Sequence, residues 1–146
     1  MIELTIAVAM VGLIASSTVP RYLDATRTAA RAELSATVDG IVNAQWAHEA
    51  AQGSWVAAEL WAPRTRLDGQ AATWPGHHPL DTIGWAPAGP LRGHYRVQVF
   101  GGHRLLVEGQ TDLDADGVPA NATYDYWRED SGQARVRLTG SGADTY

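Results

Sequence analysis

From Leu4 to Val19 the chain is almost continuously apolar, broken only by Thr5, Gly12, Ser16, Ser17 and Thr18. With Met1 and Ile2 ahead of it, the run is just long enough to cross a bilayer as a helix, which takes roughly 17–25 residues. From Arg21 to about Gln52 the stretch turns alanine-rich and holds no further proline. Leu34, Val38, Ile41, Val42 and Trp46 recur there on one helical face, and Gly53 is a natural stop. A single helix from Ile2 to Gln52 would be about 75 Å long at 1.5 Å per residue. That exceeds a bilayer and a small head together, as a polymerisation device would.

Ser54 to Gly93 shows little periodicity, and Pro63, Pro75, Pro79, Pro87 and Pro90 forbid long helices. It reads as an ordered connecting loop with one short helix around Val56–Trp61, pinned to the long helix by Trp61, Trp74 and Trp85. The period then becomes two. Tyr95, Val97 and Val99 alternate with Arg96 and Gln98, and Gly101-Gly102 supplies a two-residue hairpin turn into His103–Glu108. Tyr124–Arg128 and Ala134–Leu138 form a second strand pair around Glu129–Gly132. The predicted class is α+β. Residues 1–20 form an apolar helix half, 21–53 an amphipathic half, 54–93 a connecting region and 94–146 an antiparallel β head of about four strands.

Composition narrows the function. Six Trp and five Tyr against one Phe suit half-buried positions with an apolar body and a polar tip. A formal net charge of -5 argues against a nucleic-acid binder. With no cysteine there is neither a disulfide framework nor a Cys-ligated metal. No Lys or Arg precedes the apolar run, so it does not read as a secretory signal peptide.

Glu3 needs explaining. A carboxylate at the edge of an apolar helix costs on the order of a few kcal/mol unless it is paired or reaches the interface. Two readings stand: Glu3 sits at a membrane surface and favours the helix N-terminus, or it neutralises a cation on a neighbouring subunit. The segment MIELTIAVAMVGLIASSTVPRY resembles, without a gap, the N-terminal segment of type IV pilins and pseudopilins. Glu3, Leu4, Gly12, Pro20 and Tyr22 fall at that family's spacing. The stretch Ala44–Trp55 is similar to the place where a pilin's long helix ends in an aromatic, a glycine and a second aromatic.

The resemblance implies a type IV pilin fold, in which the long N-terminal α-helix packs against a small antiparallel sheet. It implies a structural subunit of a pilus-like filament and not an enzyme. The subunit would wait in the bacterial inner membrane, meet a prepilin peptidase and the pilus assembly machinery, and polymerise with itself into an extracellular helical filament. The family's mature chain usually begins two residues before the position of Met1, with an N-methylated residue. Glu3, Gly12 and Pro20 would be the assembly residues, with Glu3 meeting a neighbour's N-terminus. Pro20 removes a helical hydrogen bond to Ser16 and Gly12 lowers helix propensity. Gly12–Pro20 is therefore expected to kink or melt as the subunit leaves the membrane. Adhesion and motility are among the roles such filaments serve. A pseudopilin of a type II secretion system is the alternative. The Asp-Pro-Trp-Gly-like segment usual in the major pseudopilin is not present.

Asp112-Leu113-Asp114-Ala115-Asp116-Gly117 holds three carboxylates at alternate positions before a glycine. If the backbone curls, they converge on one ion, with the carbonyl of Val118 as the next ligand. Ca2+ suits such an all-oxygen site. Thr123 stands where an EF-hand would need Glu, so Asp125, Asn121 or a backbone carbonyl would complete the shell. A solvated turn with Asx chemistry is the competing reading. Some pilins and pseudopilins carry a similar loop, so the resemblance favours a structural calcium. Asn121-Ala122-Thr123 also matches a glycosylation sequon. His77-His78 reads as a polar turn rather than a zinc site, because adjacent histidines point apart. No nucleophile triad, Cys nucleophile or phosphate loop supports a membrane-anchored periplasmic enzyme.

Overall fold

The computed structural model describes residues 2–63, 69–113, 115–129 and 131–141; the side chains of residues 2, 3, 5, 17, 20, 23, 24, 26, 27, 30 and 141 fall outside that description. The chain divides into two compact units, Met1–Ala30 and Arg31–Tyr146. Helix α1 is assigned over Ile2–Gln52, so each unit holds part of it.

In the first unit the described large apolar side chains face outward. Leu4, Ile6, Val8, Met10, Val11, Leu13, Ile14 and Val19 are exposed and lie all around the helix. A helix apolar on every side needs burial from outside itself. Two of its exposed hydroxyls bond back to the helix: Ser16 Oγ donates to the carbonyl of Leu13 at 2.9 Å, and Thr18 Oγ1 to that of Ile14 at 2.7 Å. Among the described residues, no helix is long and apolar enough to cross a membrane.

The second unit has an α+β architecture. Five antiparallel strands lie in sequence order: β1 (Ala58–Ala62), β2 (His94–Phe100), β3 (Arg104–Thr111), β4 (Ala120–Arg128) and β5 (Ala134–Ser141). Leu34, Val38, Ile41 and Val42 of α1 are buried in one cluster with Tyr95, Val97, Leu105 and Val107 of the sheet. The alternation along β2 and β3 sends those residues inward and Arg96, Gln98, Leu106 and Glu108 to the other face. Gly109 sits where helix and sheet pack tightly. A Cβ there would lie 2.9 Å from side-chain carbons of Leu34, Val38 and Tyr95 alike. The helix ends at Gly53, whose φ of 74° and N–H bond to the carbonyl of Glu49 make a left-handed cap. Gln45 is fully buried beneath that end. Its Nε2 donates to the carbonyl of Val56 at 2.7 Å, and its Oε1 accepts the N–H of Val56 at 2.9 Å. Trp46, Trp55 and Tyr126 meet edge to face beside it, with ring centroids 4.8–5.6 Å apart.

Four expectations are corrected. The sheet has five strands rather than about four. The added one, β1, occupies the place of the short helix expected at Val56–Trp61. It pairs with β2 through an irregular register that buries Ala58 and Ala62 while Leu60 between them is exposed, so the alternation that marks a strand is broken. The β2–β3 connection has three residues, because Phe100 pairs with Arg104 around Gly101, Gly102 and His103. Of the three tryptophans expected to pin the loop to the helix, Trp85 lies against Gly40, and Trp74 packs on Trp85 with centroids 5.0 Å apart. Trp61 instead stacks on His94 at 4.4 Å, with the Arg96 guanidinium 4.5 Å from its ring centre.

Candidate functional site

The acidic loop joins β3 to β4. Thr111 pairs with Ala120, so residues 112–119 close that hairpin. The loop curls through two left-handed positions, Ala115 at φ 57° and Gly117 at φ 86°. This brings the Gly117 N–H back to Oδ2 of Asp112 at 3.0 Å. Asp116 Oδ1 accepts the N–H of Val118 at 2.7 Å in a local Asx turn. Asp112 is only 5% exposed, and its second oxygen, Oδ1, is buried with no hydrogen-bond partner. A buried carboxylate oxygen left unpaired is costly, and a cation relieves that cost. On that ground the Oδ1 atom of Asp112 fits a hard cation. Asp114 lies outside the described residues. Among the described residues, no group of three or more His, Asp or Glu side chains stands close enough to hold a metal.

Asp125 is not brought to this loop. It lies five residues into β4, roughly 17 Å beyond Ala120 at the usual strand rise. Both of its oxygens are held by Arg104, Oδ1 by Nε at 2.8 Å and Oδ2 by Nη2 at 2.9 Å. The expected ligand is a partner in an ion pair at the other end of the sheet. One supporting residue gave no signal in the sequence. A Cβ on Gly69 would lie 2.9 Å from the Leu113 carbonyl oxygen and 3.1 Å from that of Asp112, so the chain before the loop packs on its backbone.

Of the assembly residues, the side chains of Glu3 and Pro20 lie outside the described residues, although both positions fall within α1. A Cβ on Gly12 would meet nothing within 4 Å among the described residues, so no contact there demands glycine. Asn121 lies within β4 between Gln110 and Ser141. It is half-buried, and its Nδ2 donates to the Pro119 carbonyl at 3.2 Å, so the amide that would carry a sugar is engaged. His78 caps the 3-10 turn Pro79–Ile83. Its Nδ1 accepts the Leu80 N–H at 3.3 Å, while Asp81 accepts the His78 N–H at 2.9 Å. Burial pushes the imidazole below its ordinary pKa, and Asp81 offsets part of that.

No known family model, curated protein or solved structure matches the chain.

Proposed function

We propose that the chain is a structural subunit of a type IV pilus-like filament, and that it polymerises through the first unit. One observation carries the reading. An exposed helix, apolar on every side, bears Glu3, Gly12, Pro20 and Tyr22 in the pilin pattern. Such a surface is stable only in lipid or among copies of itself. Each apolar side chain is worth roughly 1.5–3 kcal/mol when taken out of water. On this reading α1 acts as one long helix. Its first half waits in the inner membrane after the prepilin peptidase has acted, then moves into the core of the extracellular filament. Gly12, whose added Cβ would meet no described residue within 4 Å, permits close approach of a neighbouring helix. Glu3 meets the methylated N-terminal amine of the next subunit.

In the second unit, Asp112, Asp114, Asp116 and the Val118 carbonyl hold a structural Ca2+. The ion neutralises the clustered carboxylates and fixes the β3–β4 connection.

The deciding experiment replaces Glu3→Gln in the source cells. Membrane-inserted protein at normal abundance, with no sheared filaments visible by electron microscopy, is the expected result. Filaments of normal number and length would sink the assembly role.

A further inference from the structure

At the end of the sheet remote from the acidic loop, the outer face carries a groove of about 410 Å3 lined by His103, Arg104, Asp125, Trp127, Arg128 and Arg137. These residues come from the β2–β3 loop and from three adjacent strands. Arg104 and Asp125 neutralise each other in a two-pronged pair. Arg137 stands directly opposite Asp125 in the β4–β5 register. Both oxygens of Asp125 already belong to Arg104, and Arg137 instead lies beside the Trp127 ring, 5.7 Å from its centre. Among the described residues, neither Arg137 nor Arg128 has a carboxylate partner. Within the described residues the groove thus keeps two guanidinium groups with no carboxylate partner, in a chain whose formal net charge is -5.

We propose that this groove binds an acidic sugar, a hexuronate unit of a carboxylated polysaccharide. Its volume falls in the range of small-ligand clefts, roughly 300–1,000 Å3. The guanidinium fork of Arg137 matches a carboxylate in two-pronged geometry, with Arg128 as a second donor. Trp127 supplies an apolar wall for the ring carbons. Each oxygen of Asp125 takes one bond from Arg104 and keeps a second lone pair that accepts a sugar hydroxyl. A nucleic acid fits worse. It brings a phosphate with every nucleotide, and among the described residues only two guanidinium groups of the groove lack a carboxylate partner, too few for the multiple phosphate contacts such binding uses. The site lies wholly within the second unit and does not depend on polymerisation.

The test is a side-chain NMR titration of the full chain in detergent micelles, following the Trp127 indole and Arg137 Nε signals. The probes are trigalacturonate, its neutral trimethyl ester and a hexathymidylate. Trigalacturonate is expected to shift both signals and to bind more tightly than the ester. Arg137→Gln should weaken it by at least about tenfold, as loss of a hydrogen bond to a charged group does. Arg128→Gln provides a second reading should Arg137→Gln disturb the rest of the spectrum. Silence at millimolar trigalacturonate, equal binding of the ester, indifference to both substitutions, or tighter binding of hexathymidylate would each overturn the proposal.

Discussion

Gly117 donates its backbone N–H to Oδ2 of Asp112 across 3.0 Å, and this bond closes the acidic loop on its first carboxylate. The other oxygen of Asp112 is left buried and unpaired. The two facts together give opposite expectations with and without a cation. In EDTA the native chain carries an uncompensated buried carboxylate, and Asp112→Asn should melt at least as high as the native protein. With Ca2+ at a hundredfold over its Kd, the native protein should gain roughly 2.7 kcal/mol by linkage. The variant should gain much less. Calorimetry of both proteins in EDTA and in CaCl2 measures the difference. Equal calcium responses would remove the ion from this loop.

Gly109 lies at a tight contact of helix and sheet in the second unit. An added methyl group would meet Leu34, Val38 and Tyr95 at 2.9 Å, far inside ordinary contact. The backbone there is paired to both β2 and β4 and has little freedom to retreat. Gly109→Ala is expected to cost about 1–3 kcal/mol, the usual penalty of overpacking. Gly76→Ala, where a Cβ meets nothing within 4 Å, should stay within roughly 0.5 kcal/mol of the native protein. Urea unfolding of the two variants makes the comparison.

The His78 cap predicts a pH dependence. The Nδ1 atom must be unprotonated to accept the Leu80 N–H. Burial lowers the imidazole pKa in the folded state, so the folded chain binds fewer protons than the unfolded one just below the ordinary value of about 6.5. The cap's contribution is therefore complete above that value and is lost as the pH falls through the depressed pKa. Asn is a good cap residue that does not titrate in this range. His78→Asn should melt at a temperature that falls less between pH 7.5 and pH 5. A difference that stays constant across that range would rule out titration of the cap.

The α1 face was legible because Leu34, Val38, Ile41 and Val42 repeat at the helical period and all four are buried. The alternation of Tyr95, Val97 and Val99 was equally plain. β1 was not, because its irregular register leaves Leu60 exposed between the buried alanines and breaks the alternation of a strand. In the acidic loop, the curl was readable from Gly117 and the alternating carboxylates. The left-handed Ala115 carries no such signal, and Asp125 misled because nearness in sequence along a strand is distance in space. The groove was hidden for the same reason in reverse. Arg104, Trp127 and Arg137 are far apart in the chain, and only the register of three strands brings them together.

Gln45 was also missed, since a polar residue beside Trp46 looks like the wet edge of an amphipathic stripe. It is instead fully buried and holds both polar groups of the Val56 backbone, which turns the chain from the helix into β1. Gln45→Leu fills a similar volume but strands the N–H and carbonyl of Val56. Each unpaired buried group costs about 1–3 kcal/mol, so this single change should lower stability more than an exposed substitution such as Gln52→Leu. Gln45→Glu separates the hydrogen bonding from the packing. Protonated, the carboxyl still donates to the Val56 carbonyl and accepts its N–H. Ionised, it faces that carbonyl as a buried charge. Its folded-state pKa should therefore lie above the unfolded value of about 4.3. Stability is retained below that value and lost as the pH rises through the folded pKa. Urea midpoints of Gln45→Glu relative to the native protein should thus worsen from pH 4 to pH 8. A gap that stays flat over that range would mean that water, not the Val56 backbone, faces this side chain.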